Sequence, residues 1–146
     1  MKRFIALTVF LAASLPVSGA DQTEVAYVPH DKVQAALDNV ADIYLVKADN
    51  LAVEGNYRNK AGVVEVHEKL TDIFYITEGE TTFVAGGKLE GGAPSGPGQI
   101  RGGTIIGGTT YHLVKGDAIV IPAGIPHWFK EVPTVVKYFV VKVPKQ

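Results

Sequence analysis

Apolar and polar residues alternate with two different periods along this chain. Between residues 31 and 40, the apolar residues recur every three or four positions, a spacing that places them on one face of a helix. Asp31 stands at the start of this pattern, where its carboxylate is predicted to accept a hydrogen bond from the first free backbone N–H groups. The pattern therefore predicts one short amphipathic helix near the N-terminus.

After residue 42 the period of the apolar residues becomes two, which is typical of strands with one buried face. Glycine, proline or asparagine residues separate most of these segments from one another, as expected for turns. The predicted strands are residues 43–48, 51–57, 63–68, 73–77, 81–85, 111–114, 118–121 and 134–143. Many short strands and a single helix predict an all-β fold, a sandwich or barrel of the jelly-roll type.

A glycine-rich insert, residues 86–108, interrupts these strands. It holds ten glycines and two prolines in 23 residues, a composition that packs poorly. The insert is therefore predicted to be a long flexible loop or a hairpin. Three roles remain open at this point: a solvated loop, a lid over the barrel mouth, or a contact between subunits.

The first twenty residues have the pattern of a secretory signal peptide. Lys2 and Arg3 precede an apolar run over residues 4–15, and small side chains lead up to Ala20. The run is too short for a membrane span, which needs roughly 20 apolar residues. We expect cleavage after Ala20, a single domain over residues 21–146 with no membrane attachment, and a periplasmic or secreted location.

Composition narrows the classes of function. The chain has no cysteine, so its stability must come from packing, strand pairing or oligomerisation rather than from disulfides. Removal of Lys2 and Arg3 leaves 12 basic residues (14 minus 2) against 15 acidic ones, a net charge of −3. The basic residues are scattered singly, which disfavours a nucleic-acid partner. The absence of a cysteine or serine nucleophile motif disfavours covalent acyl transfer.

Two segments, residues 65–79 and 116–127, combine polar and apolar side chains in a spaced pattern. Residues two apart in a strand share a face. Glu65 and His67 are therefore expected to point to the same side, and so are Asp72 and Phe74 on the next strand. Polar and apolar side chains would then lie on the same face of these strands.

The second segment resembles the second motif of the cupin superfamily, which runs Gly, five residues, Pro-x-Gly, two residues, His. It matches without a gap at Gly116, Pro122, Gly124 and His127. The final Asn of that motif would fall on Glu131.

The first segment resembles the first cupin motif in spacing more than in residue type. The second histidine of that motif falls on His67 and its closing glycine on Gly79, whereas Glu65 stands at the first histidine and Asp72 at the glutamate. The resemblance covers residues 63–143.

The resemblance implies a jelly-roll barrel that brings Glu65, His67, Asp72 and His127 to one interior point, where they would hold a divalent metal. Two imidazoles and two carboxylates suit Fe(II), Mn(II), Ni(II) or Zn(II). Open coordination positions would activate water, dioxygen or a substrate oxygen. No organic cofactor is expected, and the resemblance identifies no further catalytic residue.

Other side chains are candidates for contact with a small-molecule ligand. Phe74 and Phe129 are predicted to line its binding site, since Phe129 shares a strand face with His127. Arg101, the one guanidinium of the glycine-rich insert, is predicted to fold over a substrate carboxylate. His30 and His112 belong to no spaced ligand set and are expected to be structural.

Three functional hypotheses follow from these residues. The first is an exported enzyme that uses a metal for oxidation, isomerisation or lyase chemistry on a small oxygen-rich metabolite. The second, motivated by Glu65 at the first histidine position, is a non-catalytic sugar- or metabolite-binding module without metal. The third is an oligomer-forming envelope protein, with the apolar strand at residues 135–143 as its interface. A homodimer is expected in each case.

Overall fold

A computed structural model describes residues 20–146; the predicted signal peptide lies outside these residues except for Ala20. The one helix among them is α1, His30–Leu37. It begins after Pro29, whose carbonyl accepts hydrogen bonds from the N–H groups of Lys32 and Val33. The predicted capping by Asp31 is wrong, because the fixed φ of proline sets the boundary two residues earlier. In the described part of the chain, no helix is long and apolar enough to cross a membrane.

Strands make up most of the rest of the described chain. They are β1 Ile43–Lys47, β2 Ala52–Arg58, β3 Glu65–His67, β4 Leu70–Ala85, β5 Lys88–Glu90, β6 Ala93–Gly96, β7 Gln99–Arg101, β8 Thr104–Ile106, β9 Thr109–Val114, β10 Ala118–Ile121, β11 His127–Glu131 and β12 Val136–Pro144. All their pairings are antiparallel. The jelly-roll prediction is confirmed.

The long strand β4 belongs to two sheets. Its first half pairs with β12 and β10, and its second half with β9 and β11. The first sheet has the order β1-β2-β12-β4-β10, and the second has the order β9-β4-β11-β3-β7-β6. The two halves, predicted as separate strands, are continuous through Gly79, which has a φ of 76°. A side chain at Gly79 would strike the carbonyl of Val135.

An aromatic core fills the space between the sheets. Phe74, Phe83, Phe129 and Tyr138 pack with ring centroids 4.9 to 5.8 Å apart. Inward residues alternate with outward ones along β4, so Phe74 is buried while its neighbour Tyr75 is half exposed. This core supports one end of the polar cavity described below.

The glycine-rich insert forms short paired strands. β5 pairs with β8, and β6 pairs with β7 to form a hairpin. Of the two predicted forms, a flexible loop or a hairpin, the structure has the hairpin. At Gly103 the turn excludes a side chain, because φ is 79° and a Cβ would lie 2.5 Å from the Glu90 carbonyl. Because β7 also pairs with β3, the insert is joined to the barrel wall.

The last strand, β12, has no free backbone edge through which the predicted interface could form. β12 lies between β2 and β4 and is hydrogen-bonded to both, so its backbone has no free edge for strand exchange. Val136 and Val140 are buried in the core of the same chain. An interface through the edge of this strand is therefore excluded, whereas the homodimer itself stays a prediction.

Candidate metal centre and ligand cavity

Two histidines that are 60 residues apart in sequence meet inside the barrel. His67 ends β3 and His127 begins β11, and their ring centroids lie 5.3 Å apart. Both are buried, with 8% and 3% of their surface exposed. Glu65 stands two residues before His67 and pairs with His127 in the sheet register. These three residues, here called the histidine wall, offer ligand atoms that all lie within 4.8 Å of one another.

His127 presents a free nitrogen to the centre of this group. Its Nδ1–H donates a hydrogen bond to the Ile125 carbonyl at 3.2 Å, while its Nε2 is buried without a hydrogen-bond partner. Burial lowers the pKa of His127, although the Ile125 carbonyl and Asp72 oppose this effect. The ring is therefore neutral at neutral pH, with the Nε2 lone pair directed inward, as in a metal-ligating histidine.

His67 is oriented in the same way by a residue of the glycine-rich insert. Its Nδ1–H donates to the side-chain oxygen of Gln99, which lies opposite His67 in the pairing of β3 with β7. Its Nε2 lies 4.0 Å from Glu65 Oε2. Gln99 was missed by sequence reasoning, because the register of a short strand in a glycine-rich insert leaves no motif.

Asp72 lies beside the histidine wall and is almost fully buried, with 1% of its surface exposed. Its Oδ2 is 3.3 Å from His67 Nε2 and 3.8 Å from His127 Nε2. Both of its carboxylate oxygens accept hydrogen bonds from Lys142 Nζ at 3.2 Å. Lys142, on β12, was also missed from the sequence. The structure brings Asp72 to the predicted place, and its role as a metal ligand stays a prediction.

Arg101 lies at the site, but its guanidinium is already paired with a carboxylate. Its Nη2 lies 2.7 Å from Glu65 Oε1, and β7 holds it opposite Glu65 in register. The guanidinium therefore neutralises one of the predicted metal ligands. Contact between Arg101 and a substrate carboxylate stays a prediction.

Four polar residues of the motif region and its surroundings lie away from the site. Glu131 is exposed and accepts a hydrogen bond from the Thr82 hydroxyl at 2.9 Å. Glu68 is exposed, as its position next to His67 predicts. His112 is exposed and 3.2 Å from Glu80, and His30 is exposed at the start of α1. That His30 and His112 are structural stays a prediction.

A cavity of about 770 Å³ opens beside the histidine wall. Phe74 and Phe129, both predicted to line a ligand site, contribute to its surface. The opposite side comes from the inner faces of β2 and β12, and its polar residues are here called the β2–β12 wall: Glu54, Asn56, Arg58 and Tyr138. Sequence reasoning missed this wall, since alternate polar residues in a strand resemble a solvated face.

Burial controls the ionisation of the β2–β12 wall. Burial raises the pKa of Glu54, although the nearby Lys142 ammonium opposes the shift. Burial also raises the pKa of Tyr138 to about 12, although the Arg58 guanidinium partly offsets it. Tyr138 therefore stays a neutral donor, and Glu54 carries its charge at an energetic cost.

Solved structures share this arrangement of strands. A protein from Bacillus halodurans is 18% identical, with 87% of each chain covered and a TM-score of 0.62. A double-stranded beta-helix domain protein from Klebsiella pneumoniae is 16% identical, with 83% of this chain and 91% of that chain covered and a TM-score of 0.54. A cupin-2 domain containing protein from Shewanella frigidimarina is 14% identical, with 79% and 90% covered and a TM-score of 0.52. This chain has the cupin fold.

No protein-family model and no curated protein sequence matches the chain. At these identities the likeness to other cupin structures concerns the fold alone. What the cupin barrel of this chain does must therefore be argued from its own site residues.

Proposed function

We propose that this chain binds one divalent metal ion through Glu65, His67 and His127 and acts on a small oxygen-rich metabolite by oxidation, isomerisation or lyase chemistry. One observation carries the proposal. With both Nδ1 atoms hydrogen-bonded to oxygen acceptors, the Nε2 atoms of His67 and His127 face Asp72 Oδ2 at 3.3 and 3.8 Å, and His127 Nε2 has no hydrogen-bond partner. A cation would satisfy these acceptors, and buried polar groups are rarely left unsatisfied.

The residues present fit a metal ion of intermediate softness. Imidazole nitrogen and carboxylate oxygen together suit Fe(II), Mn(II), Ni(II) or Zn(II), and Asp72 would add a fourth ligand. Such an ion, when bound, would supply Lewis acidity or activate an oxygen ligand. Gln99 and the Ile125 carbonyl fix the two ring orientations, and the cavity provides room for a small molecule.

The metal content of the purified protein tests this proposal. We expect one ion per chain in the wild type, measured by plasma mass spectrometry, and its loss in both His67→Ala and His127→Ala. His112→Ala is the matched control, because His112 is exposed and belongs to no ligand set. Folded wild-type protein that takes up no Fe(II), Mn(II), Ni(II) or Zn(II) would contradict the proposal.

The ion pair between Arg101 and Glu65 favours a second candidate, a non-catalytic binding module without metal. The guanidinium at 2.7 Å lowers the negative charge available to a cation, and the cavity would then hold a ligand by hydrogen bonds alone. Thermal stabilisation by a sugar or small acid in chelator-treated protein would support this candidate. A ligand effect that requires added metal would count against it.

Export and self-association complete the proposal. We infer a signal peptide at residues 1–20 that sends the chain to the periplasm or the medium, and a homodimer of the processed chain. N-terminal sequencing of the fractionated protein should begin at Asp21. Light scattering should give twice the mass of one processed chain.

A further inference from the structure

Arg58, on β2, is a cation without a carboxylate. In residues 20–146, no Asp or Glu oxygen lies within 4.0 Å of its guanidinium, whereas Lys142 is paired with Asp72 and Arg101 with Glu65. Its Nε is buried and has no hydrogen-bond partner. The guanidinium lies over the Phe129 ring, 4.7 Å from its centroid. Arg58 is thus held at the cavity by the Phe129 ring and by a hydrogen bond with the Tyr138 hydroxyl, and its Nε–H is left without a partner.

Asn56, two residues earlier on the same face of β2, also has a buried donor without a hydrogen-bond partner. It lines the cavity and has 2% of its surface exposed, and its Nδ2 has no hydrogen-bond partner. Nearly all buried side-chain donors in proteins are satisfied. Two unsatisfied donors side by side therefore point to a ligand that brings acceptor oxygens.

Glu54 precedes Asn56 by two residues and provides the opposite chemistry. Its buried carboxylate lines the same cavity and can only accept hydrogen bonds when ionised. The Tyr44 hydroxyl already donates one hydrogen bond to it, and a carboxylate has further lone pairs that can accept from a ligand hydroxyl. The same face of one strand thus offers an acceptor at one end and a cation at the other.

We propose that Glu54, Asn56 and Arg58 form a recognition surface for a small hydroxylated carboxylate. Arg58 and Asn56 donate to the carboxylate oxygens, and Glu54 accepts from a hydroxyl. The inference rests on the proposed function, since it names the substrate class of the same cavity. It also transfers to Arg58 the role that the sequence suggested for Arg101.

Calorimetric titration tests this recognition. Gluconate, glycerate and lactate are the probes, and glucose and glycerol are the neutral comparisons. We expect at least one hydroxy acid to bind the wild type. Arg58→Met should weaken binding by about 10- to 100-fold, the range for loss of a charge-assisted hydrogen bond. Lys115→Met is the matched control, since Lys115 is exposed and does not line this cavity, and it should change affinity less than about twofold.

Each titration is run on chelator-treated and on metal-loaded protein, with the metal content of every variant recorded. Arg58-dependent binding in metal-free protein would support this inference even if the metal proposal fails. Arg58→Lys keeps the positive charge but not the planar guanidinium, so it should retain part of the affinity. It replaces Arg58→Met in the titration if that variant does not fold. Equal affinity in Arg58→Met and wild type, equal affinity for glucose and gluconate, or no hydroxy-acid binding in either form would overturn the inference.

Discussion

The two walls of the cavity differ in which kind of polar atom lacks a partner. In the histidine wall, both Nδ1 atoms are hydrogen-bonded and Glu65 is paired with Arg101, and the unpartnered atom is His127 Nε2, an acceptor. In the β2–β12 wall, Asn56 Nδ2 and Arg58 Nε have no partner. The difference suggests two tasks: one wall is arranged around a point charge, and the other is left open for a ligand with several oxygens.

Asp72 connects the walls. It lies on β4 between the two histidines and Lys142, and the charge of Lys142 in turn acts on Glu54. A change at Asp72 should therefore affect both walls, whereas a change at Gln99 or Glu54 should affect one. The four predictions below use this contrast, from the largest expected effect to the smallest.

Asp72→Ala should lower the free energy of unfolding by about 3 kcal/mol, because it leaves the largely buried Lys142 ammonium without its partner. Urea unfolding of metal-free protein at neutral pH measures this loss. Asp72→Asn combined with Lys142→Met should be more stable than Asp72→Ala, since no unpaired ammonium then remains beside position 72. If Asp72→Ala is as stable as the wild type, the pairing of Asp72 with Lys142 contributes nothing to the free energy of unfolding.

Gln99→Ala should weaken metal affinity by about 10- to 100-fold, because the His67 ring loses the acceptor that orients it. Competition with a chromogenic chelator measures the change. The exposed neighbour of His67 offers the control, Glu68→Ala, which should leave affinity unchanged. If both variants bind metal like the wild type, the insert has no part in the site.

Glu54→Gln should stabilise the metal-free protein at pH 7, by less than the Asp72 effect. Burial raises the pKa of Glu54, so the folded state binds more protons than the unfolded state between the two pKa values. Glu54 therefore contributes stability at low pH that is lost as pH rises through its folded pKa. The gain from glutamine should shrink as pH falls toward 4.5, measured by urea unfolding of both proteins. A gain in stability that grows as the pH falls would contradict a raised pKa of Glu54.

His112→Ala should change stability by less than about 0.5 kcal/mol, because its ion pair with Glu80 is exposed on both sides. Thermal unfolding at pH 6 and pH 8 measures this small effect. A loss comparable with that of Asp72→Ala would mean that the outer histidine supports the barrel, contrary to its exposure.

The sequence predicted the fold and the histidine wall because local patterns encode both. Period-two alternation placed Glu65 and His67 on one face, and the resemblance to the second cupin motif implied that His127 lies at the same site. Gln99, Lys142 and Arg58 could not be predicted, since their roles depend on which distant strands become neighbours and in what register. The sequence left a flexible loop and a hairpin open for the insert, because composition alone does not distinguish glycines in turns between short paired strands from glycines in a flexible loop.

The pairing of β3 with β7 limits the insertions and deletions that the glycine-rich insert can tolerate. Gln99 lies opposite His67 and Arg101 opposite Glu65, and successive side chains in a strand face opposite ways. Loss of the one residue between Gln99 and Arg101 would place their side chains on opposite faces of β7, so that only one of them could reach the site. Homologues should therefore keep the two-residue step from Gln99 to Arg101.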